Sequence, residues 1–153
     1  MSGAERRLSE LGLELPEAPP PAAAYVPVAR AGDILYVSGQ VAVARGEPVA
    51  TGKLGGGVDT RVGTRCARQC AVNVLAQLKA ELGSLDRVRR VVRLGVFVAS
   101  DPGFTQQHVV ANGASELVAD VFGQAGLHAR AAVGVPSLPM DSPVEVEAVV
   151  LVE

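Results

Sequence analysis

The sequence predicts an α+β fold: a two-layer sandwich in which two helices cover one face of a mixed β-sheet. Three observations predict it. Short runs of Val, Ile, Leu and Ala recur along the chain between turn residues, two longer segments carry apolar residues at helical spacing, and their order is ββ(β)–α–β–α–ββ. At 153 residues the chain holds one ordinary domain with room for a real core. A sheet covered on one face leaves its other face to water or to a partner. Apolar residues make up 48% of the chain and mean hydropathy is +0.28, most of it from Ala and Val. That much aliphatic surface on a small domain points to burial against copies of itself.

Residues 1–24 form an N-terminal arm, with a short amphipathic start and then the proline-rich run 16–21. The single α+β domain is expected over 25–153. Its first strand, 25–30, contains Pro27, which places it at an edge or a strand start. Ala31-Gly32-Asp33 turns the chain into a second strand, 34–38, making a hairpin. Gly39-Gln40 ends that strand where a small residue lets another backbone approach. Residues 41–44 then extend the sheet after a bend, and a Gly-rich loop runs to Gly57. That loop lacks the Lys-Ser/Thr closure of a nucleotide-binding loop.

From Val58 the period changes. Val62, Cys66, Cys70, Val74, Leu75, Leu78 and Leu82 fall at threes and fours, with Asp59 and Thr60 as caps and Gly83 as the stop. After a turn at 84–86, strand 88–99 places Val92, Leu94, Val96 and Val98 on one face. Ser100-Asp101-Pro102-Gly103 launches a helix over 104–122, closed by Gly123. The loop 123–128 delivers Arg130 to the next strand. A turn around two prolines at 136–142 leads to the last strand, 144–152.

The net charge of −2 and 3% aromatics give RNA neither phosphate contacts nor stacking platforms, so no nucleic-acid partner is expected. The basic run Arg87-Val88-Arg89-Arg90 reads as a solvated turn before a strand. No stretch approaches the roughly 18 apolar residues of a membrane span, and the N-terminus resembles no targeting segment, so a cytoplasmic protein is expected. Cys66 and Cys70 stack one helical turn apart without the ligands of a metal site, and read as small buried hydrophobes. No metal site and no cofactor are expected. Ser38 lacks the setting of a nucleophile elbow. His108 and His128 stand apart from any carboxylate or cysteine cluster, although His128, two residues from Arg130, could border a pocket.

The chemistry-bearing pair is Arg130 and Glu145. Arg130 opens a strand of small apolar residues, where its planar donors suit a substrate carboxylate. Fifteen positions later Glu145 opens a second such strand and could handle a water or a proton. Glu147 shares its strand face and reads as solvated.

The stretches 31–40, Gly83-Ser84-Leu85-Asp86, Val96-Phe97-Val98, Ala129-Arg130 and 144–148, in this order and spacing, resemble the Rid family (RidA/YjgF, formerly the L-PSP endoribonuclease family) from about Tyr25 to Val152. The resemblance implies a chorismate-mutase-like homotrimer with clefts between subunits, and hydrolysis of reactive 2-imino and enamine acids to 2-keto acids and ammonia. It implies that Arg130 grips the substrate carboxylate and that Glu145 attends the attacking water. Tyr25 would line the cleft, Gly39 would lend it backbone, and the Ala132 carbonyl would face the imine nitrogen. The family's asparagine falls at Ser115, with Asn112 one helical turn earlier. Ala131 replaces the usual Ser or Thr, and Ala23-Ala24 replaces a Gly-Pro. These departures bear on the shape of the pocket. The alternatives are a non-catalytic trimer that senses small carboxylates and, ranked last, an endoribonuclease.

Overall fold

A computed structural model of the chain describes residues 3–153. Its main sheet has five strands: β1 (Val28–Ala31), β2 (Ile34–Val41), β7 (Val88–Ala99), β8 (Ala129–Val135) and β9 (Val144–Val152), in the order β1-β2-β9-β7-β8. All neighbours are antiparallel except β7 and β8, which run parallel and are joined through the second helical segment. Two short pairs, β3 (Val43–Ala44) with β4 (Glu47–Pro48) and β5 (Lys53–Leu54) with β6 (Gly57–Val58), fold the Gly-rich stretch into separate turns. Residues 43–44 therefore leave the main sheet rather than extend it.

Helices α2 (Thr60–Leu82) and α4 (Asn112–Phe122) cover one sheet face, as the apolar patterns require. Asp59 caps α2 by accepting the Val62 amide at 2.8 Å, and Gly83 ends it at φ 82°, a conformation costly for a residue with a Cβ. The core lies between the layers. Val144, Val146, Ala148, Val150 and Val152 of β9 all point into it, alternating with Glu145, Glu147, Val149 and Leu151 on the open face. Cys66 and Cys70 are fully buried there, and burial pushes the Cys66 thiol up to about 11 and Cys70 well above its ordinary value.

Three local departures from the expected elements occur. On β7 the register slips between Val91 and Arg93, so Val91 is buried while Val92 is 39% exposed, reversing the expectation for Val92. On β2 a second irregularity lies between Val37 and Gln40, so Gly39 sits inside the strand instead of ending it. The expected helix over 104–122 is broken: a single turn, α3 (Gln107–Val110), precedes α4, and Ala111 separates them. Ala111 itself keeps helical dihedral angles, and nearby α4 crosses α2 so closely that a Cβ on Gly113 would collide with the Thr64 carbonyl.

Helix α1 (Ala4–Glu10) docks against α4 and the 3-10 turn at Leu85–Arg87. The chain after α1 runs along α2, where Gln77 donates to the Pro19 carbonyl at 2.6 Å. Gln77 also reaches Gln40, and Gln40 donates to the Ser38 carbonyl at 3.1 Å, linking arm, helix and the β2 irregularity. Asn73 donates to the Val41 and Val43 carbonyls, both at 3.0 Å, where β2 leaves the sheet. Arg87 closes the end of α2 through the Leu82 carbonyl at 3.0 Å and Arg90 donates to the Leu127 carbonyl at 2.8 Å, so two residues of the basic run are structural.

Candidate functional site

Arg130 lies on β8, the edge strand, level with Leu94 of β7. Leu94 points into the core, so Arg130 leaves the sheet on the helix side, and the edge position lets its long side chain run out beneath α3 and α4. Its Nη1 donates to Asn112 Oδ1 at 2.9 Å and to Ser115 Oγ at 3.1 Å, and its Nη2 to the His108 carbonyl at 3.1 Å. Asn112 and Ser115 are three apart on α4, one turn of helix, and both meet the same nitrogen. Both assignments considered for the family's asparagine thus converge on one guanidinium. Among the described residues no carboxylate pairs with Arg130. Its position is set by neutral acceptors, so its positive charge remains uncompensated.

His128 belongs to the same cluster. Its Nε2 lies 2.9 Å from Ser115 Oγ and its Nδ1 2.6 Å from the Gly126 carbonyl. The sequence signal was its place two residues before Arg130 at a strand start, where alternate residues share a side. His108 contributes only its backbone carbonyl here. Ala132, two residues beyond Arg130 and level with Val96, follows on the same side of β8.

Glu145 is elsewhere. It stands on β9 opposite Val41 and Phe97, on the open face. Gly39 lies directly beneath its carboxylate, so a Cβ there would collide with it. The glycine at the β2 irregularity is therefore what makes room for the acid. Burial, and then the neighbouring charge of Glu147, holds the Glu145 carboxyl above its ordinary value of 4.5. Glu147 lies over Gly95, whose missing Cβ leaves space for it and for Arg93.

Tyr25 precedes β1 and is 47% exposed. Ser38 binds the Pro27 carbonyl through its amide at 2.9 Å and the Val26 carbonyl through its hydroxyl at 2.8 Å. The chain at Tyr25 consequently runs past the β2 irregularity, toward Gly39. The strand expected over 25–30 begins only at Val28, because Val26 and Pro27 pair with Ser38 irregularly.

Within one chain these residues form two separate groups. Arg130, Asn112, Ser115 and His128 gather on the helix side of one sheet edge. Gly39 and Glu145 meet on the opposite face, with Tyr25 alongside. Leu94 and Phe97 lie on opposite faces of β7, which fixes the separation independently of side-chain rotamers. A hollow of about 900 Å³ between the arm and α2 contains none of these residues and holds no comparable grouping of donors.

Residues 15–152 match the family model described as Endoribonuclease L-PSP. Protein TCP17 of Trypanosoma cruzi is 49% identical over 144 residues, covering 94% of this chain and 90% of that protein. The crystal structure of Atu1372 from Agrobacterium tumefaciens, whose function is unknown, superposes with a TM-score of 0.91 at 50% identity, over 98% of this chain and 92% of that one. TdcF of Escherichia coli, solved with bound serine, superposes with a TM-score of 0.65 at 25% identity, over 90% of this chain and 94% of that one. With the family model spanning nearly the whole chain and these relatives sharing its fold, the protein belongs to the L-PSP family, also called the YjgF/RidA family.

Proposed function

We propose that this protein hydrolyses reactive 2-imino and enamine acids to 2-keto acids and ammonia, in a cleft that copies of the chain build together as a cytoplasmic homotrimer. The observation that carries the proposal is the guanidinium of Arg130, oriented by three neutral acceptors and left without a carboxylate partner. Such a group is set to receive a small carboxylate. The serine bound to TdcF shows a small amino acid held by a relative of this fold.

The placement of the two groups supports assembly with further copies of the chain. Arg130 and Glu145 lie on opposite faces of one sheet, so they can serve one substrate only if a neighbouring copy supplies one of them. The open face offers Tyr36 at 53% exposure and Val133 at 45%, apolar surface suited to that contact.

In the assembled cleft, Arg130 holds the substrate carboxylate, with Asn112 and Ser115 fixing the guanidinium, and so presents the imine carbon to water. Water attacks that carbon as its proton passes to Glu145. The carboxyl's raised pKa makes it a better base than an ordinary glutamate. Glu145 returns the proton to the amino nitrogen of the tetrahedral adduct; the C–N bond then breaks as the C=O bond forms, the hydroxyl proton passes back to Glu145, and ammonia leaves. Tyr25 walls the cleft, while the Gly39 and Ala132 backbones face the nitrogen. An imine is already an electrophile, so the scheme requires no cofactor.

A second reading, a trimer that only binds small carboxylates, is favoured by Ala131, which carries no hydroxyl. Ala131 is level with Gly95 on the open-face side of β8, away from the acceptors of Arg130. Its methyl leaves the anion site intact in either reading.

The test is ammonia release from freshly generated 2-aminoacrylate and longer 2-imino acids. Wild type should exceed the spontaneous rate, and Arg130→Ala should abolish the excess. Glu145→Gln should keep keto-acid binding and lose turnover by 10²-fold or more, a magnitude typical of removing a general base. No acceleration with any imino acid, together with keto-acid binding that depends on Arg130, would select the carboxylate binder.

A further inference from the structure

We infer that His128 is a positioning residue for Arg130, acting through the Ser115 hydroxyl with its imidazole in the Nδ1–H form. This inference rests on the reading of Arg130 as the carboxylate-binding group. With a neutral imidazole the hydrogen-bond chain allows one assignment of protons. The Gly126 carbonyl can only accept, so at 2.6 Å the Nδ1 of His128 carries hydrogen. In the neutral ring Nε2 is then a bare acceptor. Arg130 Nη1 can only donate, so Ser115 Oγ accepts from it at 3.1 Å. The serine's own hydrogen needs another acceptor, and Nε2 lies 2.9 Å away. The order is Arg130 to Ser115 to His128 to Gly126, with every donor facing an acceptor.

His128 thereby removes a freedom that the other two anchors lack. The His108 carbonyl and the Asn112 amide oxygen are acceptors in every state, whereas a hydroxyl rotates. Without an acceptor behind it, the Ser115 hydrogen can swing toward Arg130 and convert an attraction into a repulsion. With Nε2 in place, the hydroxyl lone pairs are held toward the guanidinium. The ring itself touches no part of Arg130 in this chain of bonds, so its effect passes through the serine.

The experiment measures dissociation constants of pyruvate and 2-oxobutanoate on the full-length protein, alongside kcat and KM for imine hydrolysis. His128→Phe, which keeps a ring but offers no acceptor, should weaken keto-acid binding about five- to tenfold, the size of one lost hydrogen bond, and raise KM more than it lowers kcat. His128→Gln, whose amide oxygen can accept from Ser115, should recover most of the loss. In the Ser115→Ala background His128→Phe should add nothing further, because the link is already cut. Nitrogen-15 spectra at pH 8 should show a protonated Nδ1 and an unprotonated Nε2. The Nε2–H tautomer, or additive effects in the double variant, would overturn the inference while leaving the Arg130 site intact. Equal keto-acid affinity in wild type and Arg130→Ala would instead overturn the functional reading, and this inference with it.

Discussion

Glu145 shows how one residue carries cost and use together. Burial and the charge of Glu147 disfavour its ionised form, so at neutral pH it subtracts stability from the folded state. The sign follows from its raised pKa. Below about 4.5, the ordinary value, the carboxyl is protonated in folded and unfolded chains alike and costs nothing. Above its folded pKa the penalty is fully present. Glu145→Gln should therefore raise Tm at pH 7 to 8, and thermal scans at pH 4 should show that gain gone. A variant that loses stability at neutral pH would contradict the desolvation argument. Arg130 is the converse case, since its charge is held by acceptors that leave it available.

At the level of elements, α1 is tied down by its buried Ala4 and Leu8 and by Glu5. The Glu5 carboxylate accepts the Leu85 amide at 2.9 Å and lies 3.0 Å from Lys79 Nζ, while its own amide donates to Asp86 at 3.1 Å. Burial alone would push the Glu5 carboxyl up, but the Leu85 amide and Lys79 hold it below its ordinary 4.5. Its contribution is therefore present above about pH 4.5 and fades as pH falls through the lowered value. Glu5→Ala should cost about 1 to 2 kcal/mol at pH 7, for lost hydrogen bonds to a charged group. Hydrogen exchange should locate the loss in α1 and the 85–87 turn. Uniform loss across the sheet would mean that α1 is not a separately docked element. The same docking brings the arm to Pro19 and, through Gln77 and Gln40, to the strand that carries Gly39.

At the scale of the whole molecule, Arg130 and Glu145 stand on opposite sheet faces of one chain, and the proposed assembly is what would bring them together. Val133 is on the open side of β8, level with Phe97, and exposed. Val133→Asp should leave the fold of the single chain intact while burying a charge in any contact made by that face. Sedimentation should give wild type near three times the 15.7 kDa chain mass and the variant near one. Turnover should disappear in the monomer, because Arg130 and Glu145 would no longer meet. A monomer with wild-type turnover would show that one chain suffices and would remove the shared-cleft mechanism. Among the described residues no helix is long and apolar enough to cross a membrane.

The sequence by itself determined whatever depends on local period and local chemistry. Helix α2 was legible from Val62 to Gly83 because its apolar stripe, capping Asp59 and terminal glycine all act within one element. Strand β9 was legible from simple alternation, and Arg130 and Glu145 from their residue types among small apolar neighbours. Tertiary structure decided what depends on other strands and helices. The slip that exchanges Val91 for Val92 arises in the pairing with β9. The close crossing at Gly113 depends on the Thr64 carbonyl of another helix. Alternation within β8 and within β9 says nothing about which side of a common sheet each presents, so the opposed placement of Arg130 and Glu145 emerged only with the register. The link from His128 to Arg130 needed the fold as well, since Ser115, which joins them, comes from a separate element and is placed between them by packing.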